Sequence, residues 1–77
     1  MADQNELKQK LIRKIDASIP KVVRASQLDE AADKLIKAKQ ADRQLLEKIG
    51  SEVFGERDIL QRSDIDDIND ILDQLDE

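Results

Sequence analysis

The chain lacks the side chains on which most enzymes and metal sites depend. Its 77 residues include no cysteine, histidine, tryptophan or tyrosine. Without cysteine no disulfide can form, and a zinc site without histidine or cysteine would need carboxylates alone, which is rare. General acid–base and nucleophilic catalysis most often use the same side chains. The sequence therefore predicts a protein that is not an enzyme and that holds no cofactor and no metal.

Glycine, proline and aromatic residues are also scarce, being limited to Gly50, Gly55, Pro20 and Phe54. Two glycines are too few for a glycine-rich phosphate loop. Apolar residues recur every third or fourth position, which is the period of a helix, and no segment alternates with a period of two. We expect an all-α fold, a single helical domain over residues 1–77, built as a small bundle of three main helices with short connecting helical turns.

The length of the chain limits the stability of such a bundle. A core of this size rarely supplies more than about 3–5 kcal/mol, so natural proteins of this size add disulfides, a metal or self-association. Since the first two are excluded by composition, self-association remains, and the chain is predicted to form a homo-oligomer.

The first helix is predicted to begin at Asp3, an acidic cap residue. Pro20 disfavours helical geometry at the residue before it and fits the first turn of a new helix. We therefore expect a bend, followed by a short helix capped by Ser18. Val22 and Val23 are expected to face inward.

The longest helix is predicted to be capped by Ser26 and to carry an apolar stripe over residues 28–49, with Gly50 ending it. Lys39 and Asp42 lie close to this stripe, where apolar residues are expected. They are interpreted in two ways. Either the helix leaves the core at this point, or the two residues form a polar layer that fixes helix register or pairs across a self-association interface.

The segment after Gly50 has the least regular pattern. One further helical turn is expected around Val53 and Phe54, and a second short element around Ile59 and Leu60. Ser63 is predicted to cap the last helix.

The last seventeen residues, QRSDIDDINDILDQLDE, contain seven acids and one base. An EF-hand loop starting at Asp64 would need an oxygen ligand at its fifth position and glycine at its sixth, but Ile68 and Asn69 stand there. On a helix, the same residues separate into two faces. The apolar face carries Ile65, Ile68, Ile71, Leu72 and Leu75, and the acidic face includes Asp66, Asp67, Asp70 and Asp73.

This segregation has two interpretations: a core helix with a solvated face, or a docking helix with an acidic face. The second gives the functional prediction, a non-enzymatic protein–protein interaction module such as a small adaptor, inhibitor or assembly factor. Its partner would be another protein with a basic surface. The predicted partner-binding residues are Ile65, Ile68, Leu72, Leu75, Asp66, Asp70 and Asp73.

Two alternatives come from other parts of the pattern. Residues 1–25 hold six bases against three acids, so the first helix could contact nucleic acid through its cations. A purely structural oligomer would instead use the C-terminal apolar face for self-packing. The cations that would carry the nucleic-acid role are Lys8, Lys10, Arg13 and Lys14.

The compartment is predicted from two segments that the sequence does not contain. The N-terminus has no apolar core of a signal peptide, and no apolar run is long enough to cross a bilayer. We therefore expect a cytoplasmic protein without membrane contact.

Overall fold

A computed structural model describes residues 3–76, with side chains described for residues 3–75. The described residues form four α-helices and one π-helical turn, and no strand occurs among them. The small all-α bundle predicted from the sequence is confirmed. In chain order the elements are α1 (Gln4–Ser18), α2 (Ala25–Ala38), α3 (Arg43–Ile49), the π-helical turn (Gly50–Phe54) and α4 (Ile65–Asp76).

Helices α1, α2 and α4 pack against one another around an aliphatic core. Helix α1 runs antiparallel to α4, because Ser18 at its end contacts Ser63 while residues at its start line one cavity with Leu75. It also runs antiparallel to α2, because that cavity includes Ile36 near the end of α2, and Lys8 pairs with acids of the earlier turns. Each buried leucine or isoleucine contributes roughly 1.5–3 kcal/mol, so this core is the main stabilising element. The side chains with almost no exposed surface are Leu7, Leu11, Ile15, Leu35, Leu46, Ile49, Leu60, Ile68 and Leu72.

The two ends of α1 follow the sequence prediction, but the segment after it does not. Asp3 caps the helix by accepting a backbone N–H of the first turn at 3.1 Å. Ile19 is extended, with φ −88° and ψ 124°, as the following proline requires. The short helix expected at Pro20 is wrong, because residues 20–24 are not helical. Val22 is 99% exposed, which contradicts the inward orientation, whereas Val23 packs partly against the core.

Helix α2 begins at Ala25, so the cap predicted at Ser26 is wrong. The backbone N–H of Arg24 donates to Oε1 of Gln27 at 3.0 Å. Gln27 is the third residue of the helix, and its side chain thus gives a partner to the backbone N–H of the residue just before the helix. Ser26 lies inside the first turn instead.

The single long helix predicted to end at Gly50 is also wrong, because the chain breaks between α2 and α3. Lys39 has a left-handed backbone, φ 66°, and its N–H donates to the Leu35 carbonyl at 3.0 Å. Asp42 then caps α3, accepting the Leu45 N–H at 2.7 Å. Lys39 and Asp42, which the sequence analysis marked as anomalous, are thus the two residues that close one helix and open the next.

Helix α3 ends just before Gly50, as predicted, but Gly50 does not end the helical conformation. It is helical, with φ −56° and ψ −45°, and begins the π-helical turn that continues α3. A Cβ atom at this position would lie 2.5 Å from the carbonyl oxygen of Glu56, so glycine permits close approach of the following segment. The helical chain ends at Gly55, which has φ 73° and whose N–H bonds the Ser51 carbonyl at 3.2 Å. The helical turn predicted around Val53 and Phe54 is present.

Residues 57–62 form successive turns rather than a helix, and within them Ile59 and Leu60 are buried. The next residue, Ser63, is only 3% exposed and does not cap α4 as predicted. Its hydroxyl lies 2.7 Å from that of Ser18. Because the Ser18 hydroxyl donates to a backbone carbonyl of its own helix, the Ser63 hydroxyl is the donor of this bond. Asp64 caps α4 instead, through the Asp67 N–H at 3.2 Å.

Candidate interaction surface

The apolar side of α4 faces the core of its own chain. Ile68, Ile71 and Leu72 are at most 7% exposed. Ile65 and Leu75 are partly buried and also pack against this core. In the folded chain Ile68 and Leu72 have almost no surface to offer a partner, so their predicted role as partner contacts is corrected to a core role. Ile65 and Leu75 keep some accessible surface at the margins of the helix.

The opposite side of α4 carries three exposed acids, Asp66, Asp70 and Asp73, which we call the acidic ridge. Their spacing of four and three residues aligns them along one line of the helix. The ion pairs of the described side chains include none of these three carboxylates. Neighbouring like charges at this spacing cost roughly 0.2–0.5 kcal/mol each, and no ion pair among the described side chains offsets that cost.

A groove of about 500 Å³ runs between α1 and α4. An ion pair crosses it, with Lys14 Nζ 2.9 Å from Asp67 Oδ2. This hydrogen-bonded contact raises the pKa of Lys14. The walls of the groove differ in charge, because α1 contributes cations and α4 contributes acids. Its lining consists of Lys10, Arg13, Lys14, Ala17, Asp67, Asp70, Ile71 and Gln74.

The cations predicted to contact nucleic acid divide into two pairs. Lys8 Nζ lies 2.9 Å from carboxylate oxygens of both Asp29 and Asp33, so its charge is used to join α1 to α2. Hydrogen bonding to Asp33, then to Asp29, raises the pKa of Lys8. Lys14 is engaged by α4, as described above. Lys10 and Arg13 are exposed and belong to no ion pair among the described side chains.

Other surface charges are paired between elements near the chain's loops. Lys21 lies 2.7 Å from Glu56, and Lys34 lies 3.3 Å from Glu52. Arg57 donates to Glu47, and this hydrogen bond raises the pKa of the guanidinium. Other exposed acids also stand outside these ion pairs, but they lie on separate segments of the chain, whereas the acidic ridge aligns three carboxylates along one helix.

The structure reveals one polar contact that the sequence analysis missed. The side-chain amide of Asn69 accepts the Ala41 N–H at 2.7 Å and donates to the Ala41 carbonyl at 3.0 Å. This pair satisfies a buried backbone at the break between α2 and α3 and ties the break to α4. The only hint in the sequence was an asparagine, a weak helix former, in the middle of an amphipathic pattern.

Comparison with known proteins gives no relative: no protein-family model, no curated protein and no solved structure matches this chain. Among the described side chains, those of residues 3–75, no three His, Cys, Asp or Glu are grouped to hold a metal ion. None of the helices described combines the length and the apolar content required to cross a bilayer.

Proposed function

We propose that this chain is a non-enzymatic protein–protein interaction module, an adaptor, inhibitor or assembly factor of the cytoplasm. The acidic ridge of α4 contacts a partner that presents a basic surface. The observation that carries the proposal is that three carboxylates aligned on one helix stay exposed and outside the ion pairs of the described bundle, while two acids of α2, one of α3 and one of the π-helical turn are matched with cations.

The ridge acts mainly by steering and orientation. Exposed charges change association rate and partner choice more than they change affinity. Apolar contact therefore comes from the margins of α4, where Ile65 and Leu75 retain accessible surface. Ile68 and Leu72 support the interface indirectly, by holding α4 on the bundle so that the ridge is rigid.

The intramolecular ion pairs favour protein contact over nucleic-acid contact. Phosphate binding needs a cluster of uncommitted cations. Of the four cations on α1, Lys8 and Lys14 are engaged by carboxylates at 2.9 Å, which leaves Lys10 and Arg13. A cluster of two cations on a chain of net charge −5 is a weak basis for phosphate binding.

The test neutralises the ridge without touching the core. A tagged chain carrying D66N/D70N/D73N and the tagged wild type are used to capture proteins from cell extract, including a differently tagged copy of the chain itself. Bound proteins are identified by mass spectrometry. We expect the partner captured by the wild type to be lost from the variant. Deleting the whole of α4 is unsuitable, because it would remove Ile68 and Leu72 from the core.

A matched control separates the ridge from overall charge. The variant D16N/E30Q/D58N changes the net charge by the same amount but removes exposed acids from three other elements. It should capture the same partner as the wild type. Equal capture by the ridge variant, with its helical circular dichroism unchanged, would show that the proposal is wrong.

A further inference from the structure

The groove between α1 and α4 is bordered by two exposed ridges of opposite charge. On α1 these are Lys10 and Arg13, which both line the groove and which we call the basic ridge. On α4 it is the acidic ridge, of which Asp70 lines the groove while Asp66 and Asp73 lie outside its lining. Lys14 and Asp67 neutralise each other across the groove at 2.9 Å. The outer charges on both sides therefore remain available, as none of them is in an ion pair among the described side chains.

A second copy of the chain matches this pattern. If two copies face each other across the groove, a two-fold axis parallel to the helices places α1 of one copy opposite α4 of the other. A two-fold axis lying across the helices would instead place like ridges together. Two-fold symmetry is the commonest arrangement of homo-oligomers, and it repeats every contact twice. The charge pattern therefore selects one of the two face-to-face arrangements.

The positions of the opposite charges along the helix axes also match between the two copies. The Lys14–Asp67 pair fixes which turn of α1 lies level with which turn of α4. Rotation about an axis parallel to the helices leaves these positions along the axis unchanged. Arg13 and Lys10 of one copy therefore lie level with the Asp66–Asp70 part of the acidic ridge of the second copy. Ala17, a small exposed side chain, lines the groove about one turn beyond Arg13 and permits close approach there.

We propose that the chain forms a two-fold symmetric dimer through the α1–α4 groove, with the basic ridge of each copy on the acidic ridge of the other. This inference rests on the proposed function, because it names a second copy as the basic partner. Each copy has a net charge of −5, which opposes association at long range. At physiological ionic strength this repulsion is screened beyond about 8 Å, whereas the contacts across the groove are shorter.

The test exchanges the charges of one ridge at a time and then combines the variants. Sedimentation velocity is measured over a dilution series for the wild type, for K10E/R13E and for D66K/D70K. The wild type should dimerise. In each variant the exchanged charges face residues of the same sign across the interface, so the dimer dissociation constant should rise about a hundredfold. When the two variants are mixed, every contact again joins opposite charges, and a one-to-one heterodimer should form.

Two controls give the measurement its specificity. K37E/K48E changes the net charge by the same amount as K10E/R13E but lies on α2 and α3, and it should dimerise like the wild type. Circular dichroism of each variant alone verifies that it is folded. Formation of the heterodimer on mixing verifies the same point independently, because an unfolded variant would not associate.

Three results would overturn the dimer proposal. They are a wild type that remains monomeric at millimolar concentration, a dimer that K10E/R13E does not weaken, and failure of the mixed variants to associate. A monomeric wild type that still captures another protein through the acidic ridge would overturn the dimer alone. Loss of the dimer arrangement and loss of the proposed function are thereby distinguished.

Discussion

Helices α1 and α4 lie side by side and are both amphipathic, yet their charged residues are used differently. On α1, Lys8 joins the helix to α2 and Lys14 joins it to α4. On α4, only Asp67 makes a described ion pair, and the acidic ridge faces outward. Helix α1 thus uses charge to hold the bundle together, whereas α4 is held by its apolar side and keeps its charge for the surface.

The two helices also differ in how well their sequences favour a helix in isolation, and α4 is the less favourable of the two. Glu6 and Lys10 of α1 have the favourable four-residue spacing of opposite charges, while α4 carries like charges at that spacing. Aspartate is also a poor helix former. Helix α4 therefore depends on burial of its isoleucines and leucines and on contacts from other elements.

The largest effect should come from removing core side chains in both helices. Leu72→Ala and Leu11→Ala should each lower the free energy of unfolding by about 2–5 kcal/mol, because both side chains are buried. The difference should appear in amide hydrogen exchange. Leu72→Ala should expose the amides of α4 before those of α1, whereas Leu11→Ala should affect both together. If the amides of α1 exchange before those of α4 in Leu72→Ala, α4 does not depend on tertiary contacts more than α1 does.

The second prediction concerns the tie between α4 and the break after α2. Asn69→Ala should cost about 2 kcal/mol, because it leaves both the N–H and the carbonyl of Ala41 without their partner. Asn5 of α1 is exposed and serves as the control, so Asn5→Ala should change stability by less than about 0.5 kcal/mol. Urea denaturation measures both. Equal effects in the two variants would contradict the structural role of Asn69.

The third prediction tests the ion pairs of α1. Lys8→Met should lower the free energy of unfolding by up to about 1 kcal/mol at neutral pH. The pKa of Lys8 is raised in the folded state, so its stabilising contribution is complete below the unfolded pKa and is lost as the pH rises above about 10. Urea denaturation from neutral pH to about pH 11 should show a smaller alkaline loss in Lys8→Met than in the exposed control Lys37→Met. Parallel curves would exclude this contribution.

The smallest expected effect concerns the interactions between neighbouring charges on the surface of each helix. Asp70→Asn should raise the free energy of unfolding by about 0.2–0.5 kcal/mol, because Asp70 has like-charged neighbours on both sides. Glu6→Gln on α1 should lower it by a similar amount, because it removes an opposite-charge neighbour of Lys10. Chemical denaturation at low ionic strength is the measurement. The same sign in both variants would remove the contrast between the two helices.

Parts of the fold followed directly from local sequence, and parts did not. The start of α1 at Asp3, its end before Pro20 and the two faces of α4 all depend on neighbouring residues, so pattern alone predicted them. The single long helix was wrong because apolar residues keep a helical period on both sides of residues 39–42, and the polar residues between them were compatible with an unbroken helix. The break is stabilised by Asn69, which is 28 residues from Ala41 in sequence, and local pattern does not contain that contact.

The candidate surface was predicted in part for the same reason. Periodicity correctly separated the acidic ridge from the apolar side of α4. It did not tell whether Ile68 and Leu72 would meet their own chain or another, since a helix offers the same stripe to either. The groove and its oppositely charged walls were also not predicted, because they exist only when α1 and α4 lie antiparallel.

The sequence by itself determined the helical class, the exclusion of disulfides and the segregation of charge along each helix, because these depend on composition and on spacings within a few residues. The tertiary structure decided three other features. They are the break stabilised by Asn69, the close approach at Gly50 and the burial of the Ser63 hydroxyl against Ser18. Each depends on atoms far apart in the chain that meet only when the helices pack, and the same packing leaves the acidic ridge as the exposed side of α4.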